Sequence, residues 1–230
     1  MQDNVENTER RIGIEFSNKN ILKEALTHRS FLNENPSWQV SHNERLEYLG
    51  DAVAELIVTE FLYSLYPDKQ EGELTSFRAA LVNYQMMALV AREVMLEQSL
   101  FLSKGEMKDT GRARDVILAN AFEALVGAIY LDRGYDVTRD FLSKFLLPKL
   151  DGVLKDKLYK DPKSLLQEII QEKEKITPSY KVLKEHGPDH KRVFTVGVFF
   201  DERRVAEGEG ASKQDAENEA ARMALKIISP

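Results

Sequence analysis

Three acidic residues, Glu44, Glu47 and Asp51, are spaced so that a helix would carry them on one face. At about 100° per residue, Glu47 and Asp51 lie within about 60° of Glu44 around the helix axis. Apolar residues occupy the opposite side, namely Leu46, Leu49, Val53, Leu56 and Ile57. Clustered carboxylates raise one another's pKa unless a positive charge lies among them, and a hard divalent cation is the usual partner. On this helix alone, a solvated acidic face explains the pattern equally well.

A second segment favours a metal site. Glu123 is the only charged residue at positions 116–131, in a segment that is apolar around its whole circumference. Such a helix is expected to be buried, and a lone buried carboxylate needs a partner. Asn120 and Gly127 share the face of Glu123, and Gly127 leaves room for a second helix to approach. Two helices that project acids into their interface can build a metal site in a helical domain.

Both acidic segments belong to a region that is predicted to be helical. Apolar residues have helical spacing over residues 10–150, with a stop at Pro67 and no alternating strand pattern. A polar stretch follows, and Pro162 can begin the next helix. We therefore predict an all-α N-terminal domain at residues 1–152 and a linker at 153–161.

The remaining residues, 162–230, have a different predicted secondary structure. Its predicted order is a helix, three strands and a helix, at residues 162–175, 179–184, 193–200, 205–209 and 212–228. Ser212 is a candidate N-cap for the last helix, with Asp215 three residues on. The predicted fold class is thus multi-domain, with an all-α domain followed by an α+β domain of α-β-β-β-α order.

Several ordered motifs of the first domain resemble those of ribonuclease III, the double-stranded-RNA endonuclease. Residues 42–53, HNERLEYLGDAV, resemble the signature of that family, and residues 118–132 resemble its second acidic helix. Further matching stretches are ALTHRS (25–30), EGELT (71–75), RAALV (78–82), KGE (104–106) and GR (111–112). The resemblance covers nearly the whole chain.

This resemblance implies an enzyme that cleaves both strands of duplex RNA, leaving 5′-phosphates and two-nucleotide 3′ overhangs. It implies a homodimer with one site per protomer and a divalent metal, Mg²⁺, for which Mn²⁺ can substitute. The implied catalytic residues are Asp51 and Glu123. The implied metal ligands are Glu47, Asp51, Asn120 and Glu123, with Glu44 and Glu71 as supporting acids. Processing of ribosomal and messenger RNA is the expected cellular role.

Asn120 departs from the family pattern, which usually has aspartate at this position. An amide oxygen can coordinate a cation, but it brings no negative charge. Three explanations of Asn120 are open. It is a working native variant, a designed change that slows cleavage, or the mark of a cleavage-impaired RNA-binding regulator. A helical metal-binding protein unrelated to RNA is a further hypothesis.

The C-terminal region resembles the double-stranded-RNA-binding domain. Such modules read the shape, 2′-hydroxyls and phosphates of A-form RNA, and a helix N-terminus attracts phosphate. The resemblance covers the first helix, the loop at residues 187–190 and the start of the last helix at residues 210–217. It implies RNA contacts by Gln167, Glu168, His190, Ser212 and Lys213. The family usually has two adjacent basic residues at the last helix start, but here Gln214 follows Lys213.

Composition and charge limit which covalent links, cellular locations and modes of RNA binding we expect. The 230 residues contain no cysteine and no run of eighteen apolar residues, so we expect no disulfide and no membrane span. The N-terminus lacks the apolar core of a signal peptide, and the expected location is the cytoplasm. The net charge of −6 lies entirely in residues 1–159, because residues 160–230 hold 13 basic and 13 acidic residues. RNA affinity must therefore come from local charge patterning.

Overall fold

The computed structural model describes residues 2–188 and 192–228. The chain divides into two compact units, residues 1–159 and 160–230, and each unit has its own hydrophobic core. The first is helical, and the second has the order α-β-β-β-α. The predicted fold class is confirmed. Within the described ranges, no helix is both long enough and apolar enough to cross a membrane.

The described part of the first unit consists of α-helices joined by turns and loops. The helices are α1 (Gln2–Ile12), α2 (Lys19–Ala25), α3 (Arg29–Glu34), α4 (Glu44–Leu65), α5 (Glu71–Leu81), α6 (Tyr84–Glu93), α7 (Gly111–Phe145) and α8 (Leu150–Lys155). Single 3₁₀ turns lie at Leu96–Ser99, Glu106–Lys108 and Leu147–Lys149.

Helices α4 and α7 pack against each other along the core of this unit. The apolar side of α4 buries Leu46, Val53 and Ile57 as its spacing predicts, whereas Leu56 is exposed. Helix α7 buries residues around most of its circumference between Ile117 and Ile129. Gly134 interrupts α7 with a φ of 80°, which favours glycine because it has no Cβ. The N-terminal part of α7 is therefore the buried helix that the sequence predicts.

The second unit is a three-stranded antiparallel sheet with two helices. The strands β1 (Ser179–His186), β2 (Val193–Phe200) and β3 (Arg203–Gly210) lie in the order β1-β2-β3. Helix α10 (Lys213–Ile228) packs on β2, on β3 and on α9 (Pro162–Lys173). The inward-facing residues Val198 and Phe200 meet Leu166 and Ile170 of α9 in the core, as the alternation of β2 predicts.

The polar segment between the two regions contains ordered structure. Helix α8 continues to Lys155, and the ring of Tyr159 packs edge-on against Phe77 with the ring centroids 4.7 Å apart. These contacts place residues up to 159 in the first compact unit. The segment that we predict as a linker, residues 153–161, therefore begins within α8.

Candidate active site and nucleic-acid interface

The acidic side chains of α4 meet the second acidic segment where α4 and α7 come closest. Gly50 lies between Glu47 and Asp51, and its α-carbon touches the backbone of Glu123. Gly127, one turn further along α7, also lies close to the backbone of α4, where an added Cβ would come within 2.3 Å of the Leu46 oxygen. Side chains at either glycine would hold the helices apart, so the pair allows acids from both helices to share one small volume.

Glu123 shows the electrostatic consequence of this meeting. Burial, followed by the charges of Asp51 and Glu47, raises the pKa of Glu123 to about 8. Among the described residues, no basic side chain contributes to this shift. The carboxyl group thus lies in a negative, partly desolvated environment, which penalises its charged form.

Glu47 has a raised pKa for the same reasons. Burial has the largest effect, followed by the charges of Glu44 and Asp51. A hydrogen bond with the side chain of Asn120 opposes the shift, because it favours the charged carboxylate. Asn120 therefore reaches across from α7 to α4 and meets a residue of the predicted ligand set.

The chemistry of these donors fits a hard divalent cation. Three carboxylates and one amide oxygen are ligands that Mg²⁺ accepts, and a cation would remove the repulsion that raises the pKa of Glu123. Yet, within the ranges that the structure describes, no three His, Asp or Glu side chains already form a metal-ligand cluster.

The two acids that the sequence predicts as supporting, Glu44 and Glu71, lie in different surroundings. Glu44 forms an ion pair with Arg29 at 3.2 Å, and His42 Nδ1 lies 3.8 Å from its other carboxylate oxygen. Glu71 instead lines a cavity of about 450 Å³ with Lys69 and Arg78. Glu44 contributes to the pKa shift of Glu47, whereas Glu71 does not contribute to the shift of Glu47 or Glu123. The structure thus places Glu44 with the acidic cluster and Glu71 in a separate cavity.

Sequence reasoning did not assign a role to Arg29 or Asn43. Arg29 offers the positive partner of Glu44, and Asn43 is almost fully buried just before α4. Both residues lie within stretches that resemble the family motifs, so the resemblance could have marked them as candidates. Their partners could not be read from spacing, because those partners come from other elements of the fold.

The predicted RNA-contacting residues of the second unit are on its surface where the structure describes them. Gln167 and Glu168 are exposed on α9, and Glu168 pairs with Lys160. Ser212 caps α10, because its Oγ accepts the Asp215 N–H at 3.1 Å. Lys213 is exposed in the first turn of α10. His190 lies outside the described residues.

Comparison with known proteins identifies both units. Residues 18–150 match the family model described as ribonuclease-III-like, and residues 162–228 match the double-stranded RNA binding motif. The chain belongs to the ribonuclease III family of endoribonucleases. The family, the enzyme class and the double-stranded-RNA-binding module are therefore confirmed as the sequence predicts them.

Full-length relatives support membership of the ribonuclease III family. Ribonuclease 3 of Desulforamulus reducens is 44% identical over 218 residues, which cover 95% of this chain and 89% of the relative. Ribonuclease 3 of Carboxydothermus hydrogenoformans is 40% identical over 227 residues, which cover 99% of this chain and 97% of the relative. The nuclease domain of ribonuclease III from Campylobacter jejuni matches in structure, with a TM-score of 0.57, 36% identity and coverage of 63% of this chain and 99% of that domain.

Proposed function

We propose that this chain hydrolyses both strands of double-stranded RNA in a divalent-metal-dependent reaction, leaving 5′-phosphates and two-nucleotide 3′ overhangs. One observation carries the proposal: Glu123 of α7 is partly buried beside the acids Asp51 and Glu47 of α4, and burial followed by their charges raises its pKa to about 8. The helix pair thus concentrates negative charge that a divalent cation would offset. Membership of the ribonuclease III family supports RNA as the substrate.

In this proposal, the carboxylates of Glu47, Asp51 and Glu123 and the side-chain oxygen of Asn120 hold Mg²⁺, and Mn²⁺ can substitute. When bound, the cation supplies a more acidic water and offsets charge on the leaving 3′-oxygen. Asp51 and Glu123 are the catalytic pair. Partial burial of Glu123 strengthens its electrostatic interactions, because the local dielectric constant is lower than that of water.

The two acids that we assign as supporting, Glu44 and Glu71, do not belong to the proposed ligand set. Glu44 is held by Arg29, and its charge favours cation binding near Glu47. Glu71 lies in its own cavity with Arg78, so we assign it a supporting role at a distance from Glu123. Neither residue is expected to be as essential as Asp51 or Glu123.

Asn120 is, in this proposal, a working native variant. Its side chain keeps an oxygen that can coordinate a cation and lowers the pKa of Glu47, and the other acids of the cluster are present. The alternative is a cleavage-impaired, double-stranded-RNA-binding regulator. The missing negative charge at position 120 favours that alternative, because an amide attracts a cation less strongly than a carboxylate does.

Cleavage of a long RNA duplex in Mg²⁺ decides between an active enzyme and a cleavage-impaired regulator. The unmodified chain is compared with Asn120→Asp, Glu123→Gln and the control Glu55→Gln, which alters an exposed acid of α4. We expect the unmodified chain and Glu55→Gln to cleave, and Glu123→Gln to bind without cleaving. If only Asn120→Asp cleaves while the unmodified chain binds the duplex in chelator, the chain is a disabled enzyme. If Asn120→Asp is also inactive and both bind, the regulator interpretation replaces the proposal.

We further propose that residues 1–152 act as the catalytic, dimerising domain and residues 162–230 as the RNA-binding domain, with residues 153–161 between them. Gln167 and Glu168 on α9, His190, and Ser212 and Lys213 at the start of α10 are the proposed RNA contacts. The exposed start of α10 supports the last pair, because free backbone N–H groups there attract phosphate.

A homodimer is the proposed assembly. Tyr48, Leu56 and Tyr63 lie within about 80° of arc on α4, and their exposed fractions are 84%, 51% and 75%. Such a stripe of large exposed apolar residues is typical of an interaction surface. The Campylobacter jejuni nuclease domain is described as having structural flexibility in a region involved in dimer formation.

We propose ribosomal and messenger RNA processing in the cytoplasm as the cellular role.

A further inference from the structure

Two asparagines precede helices of the first unit, and they use their side chains differently. Asn83, before α6, has extended backbone angles (φ −76°, ψ 159°), and its Oδ1 accepts the Met86 N–H at 2.9 Å. That arrangement is the usual N-cap. Asn43, before α4, has φ −77° and ψ −9°, and its side chain makes no capping hydrogen bond. A residue type suited to capping is therefore used differently at the start of the acidic helix.

Asn43 ties α4 to the junction between α2 and α3. Its Nδ2 donates to the backbone oxygen of Ala25 at 3.3 Å, and its backbone N–H donates to the oxygen of Thr27 at 2.9 Å. Its own carbonyl accepts the N–H of Glu47 at 2.9 Å. Only 2% of Asn43 is exposed, so these bonds form where an unpaired amide would be costly. One buried residue thus links a neighbouring element to the backbone of a proposed metal ligand.

The junction between α2 and α3, to which Asn43 is hydrogen-bonded, also forms hydrogen bonds with Phe101 and Trp38. Phe101 N–H donates to the Leu26 oxygen at 2.8 Å, and His28 N–H donates to the Phe101 oxygen at 3.0 Å. Between them, Thr27 is fully buried, and its Oγ1 accepts the indole N–H of Trp38 at 3.1 Å. A segment fixed in this way is a rigid support for the helix that begins at Glu44.

We propose that Asn43 is a positioning residue that fixes the first turn of α4, and with it Glu47, in the catalytic centre. The inference rests on the proposed metal-dependent cleavage. Functional groups of a site need placement within about 0.5 Å, and a shift of about 1 Å can lower a rate by about 100-fold. Asn43 acts through Glu47 and not by contact with the reacting phosphate.

Two substitutions separate positioning from capping. Asn43→Ala removes the side-chain donor, and Asn43→Asp keeps the size and the capping ability but replaces that donor with an acceptor. We expect both to lower kcat at least tenfold and to raise the Mg²⁺ concentration for half-maximal cleavage several-fold. The control Asn83→Ala removes a genuine cap, so it should lower Tm while leaving kcat and the Mg²⁺ dependence unchanged. Wild-type kcat and Mg²⁺ dependence in Asn43→Asp would overturn the inference.

Two further readouts do not need cleavage. Calorimetric titration with Mn²⁺ alone should show weaker binding to both Asn43 variants than to Asn83→Ala. Hydrogen exchange should be faster at residues 44–50 in the Asn43 variants and unchanged there in Asn83→Ala. If the unmodified chain fails to cleave RNA, the proposed function fails, and hydrogen exchange with Mn²⁺ titration still decides the role of Asn43. Exchange at residues 44–50 equal to that of the unmodified chain would reject that role.

Discussion

The backbone oxygen of Glu123 lies directly against the α-carbon of Gly50. A Cβ added to Gly50 would come within 1.7 Å of that oxygen and within 2.8 Å of the Gly127 nitrogen. Real Cβ atoms do not approach backbone so closely, and rigid helix backbone cannot give way as a flexible side chain can. This contact sets the separation between the acids of α4 and Glu123, so the geometry of the proposed active site depends on a residue that carries no functional group.

Gly50→Ala is therefore expected to abolish cleavage and to destabilise the chain by about 3 kcal/mol or more, the range of severe overpacking. Cleavage of duplex RNA and the free energy of unfolding are the measurements. The matched control is Gly152→Ala on α8, where an added Cβ meets no atom within 4 Å. That change should leave cleavage intact and stability equal or higher. An active, stable Gly50→Ala variant would contradict the helix contact.

The raised pKa of Glu123 predicts a stability that depends on pH in metal-free buffer. The pKa of Glu123 is about 8 in the folded state, against 4.5 for an ordinary glutamate, so the folded state holds a proton that the unfolded state releases between these values. The free energy of unfolding should therefore fall as pH rises from about 4.5 to about 8, and this loss should be smaller in Glu123→Gln, which keeps only the contribution of the other acids such as Glu47. At pH 8 we expect the variant to be more stable by about 1–2 kcal/mol, a figure reduced for partial solvent screening.

Urea unfolding followed by tryptophan fluorescence measures this effect. Trp38 is the single tryptophan of the chain and lies in the first unit, so its signal reports on the unit that contains Glu123. The difference between Glu123→Gln and the unmodified chain should shrink towards zero near pH 4.5. Glu55→Gln serves as the control on an exposed acid. A difference that stays constant with pH would show that Glu123 does not hold its proton in the folded state.

Gln214→Lys is expected to strengthen duplex RNA binding. The change places a second basic residue beside Lys213 at the exposed start of α10. One added phosphate contact should steepen the dependence of log K on log salt by about one unit. Binding is measured in chelator at several salt concentrations, so that cleavage does not interfere. Gln214→Met, which keeps the length without the charge, should leave the slope unchanged; equal slopes for both variants would place position 214 away from the RNA.

Leu56→Asp is expected to convert the proposed homodimer into monomers. A charge within the exposed stripe of Tyr48, Leu56 and Tyr63 would have to be buried at an interface, which costs several kcal/mol. Sedimentation equilibrium measures the association. Leu89→Asp, at a leucine of α6 with a similar exposed fraction of 45%, should remain dimeric. A dimeric Leu56→Asp variant would place the interface elsewhere on the first unit.

Local patterns were sufficient to predict the helical character of the first unit and the order of elements in the second. The spacing of apolar residues in α4 and the alternation in β2 are short-range properties, because helices and strands repeat over a few residues. Strand β2 was predicted at its observed bounds, Val193–Phe200, whereas β1 continues to His186 beyond a bulge between Val182 and Lys184. A bulge depends on pairing with a neighbouring strand, so spacing within β1 does not reveal it.

The sequence by itself determined which residues carry the acidic chemistry: a stripe of carboxylates on α4 and the lone carboxylate Glu123 in an apolar helix. The tertiary structure decided which of them meet. Gly50 brings α4 against the backbone of Glu123, while Glu71, an acid of the same motif set, lies in a separate cavity. The physical reason is that charge and periodicity are properties of single segments, whereas a shared electric field requires distances between segments that only packing sets.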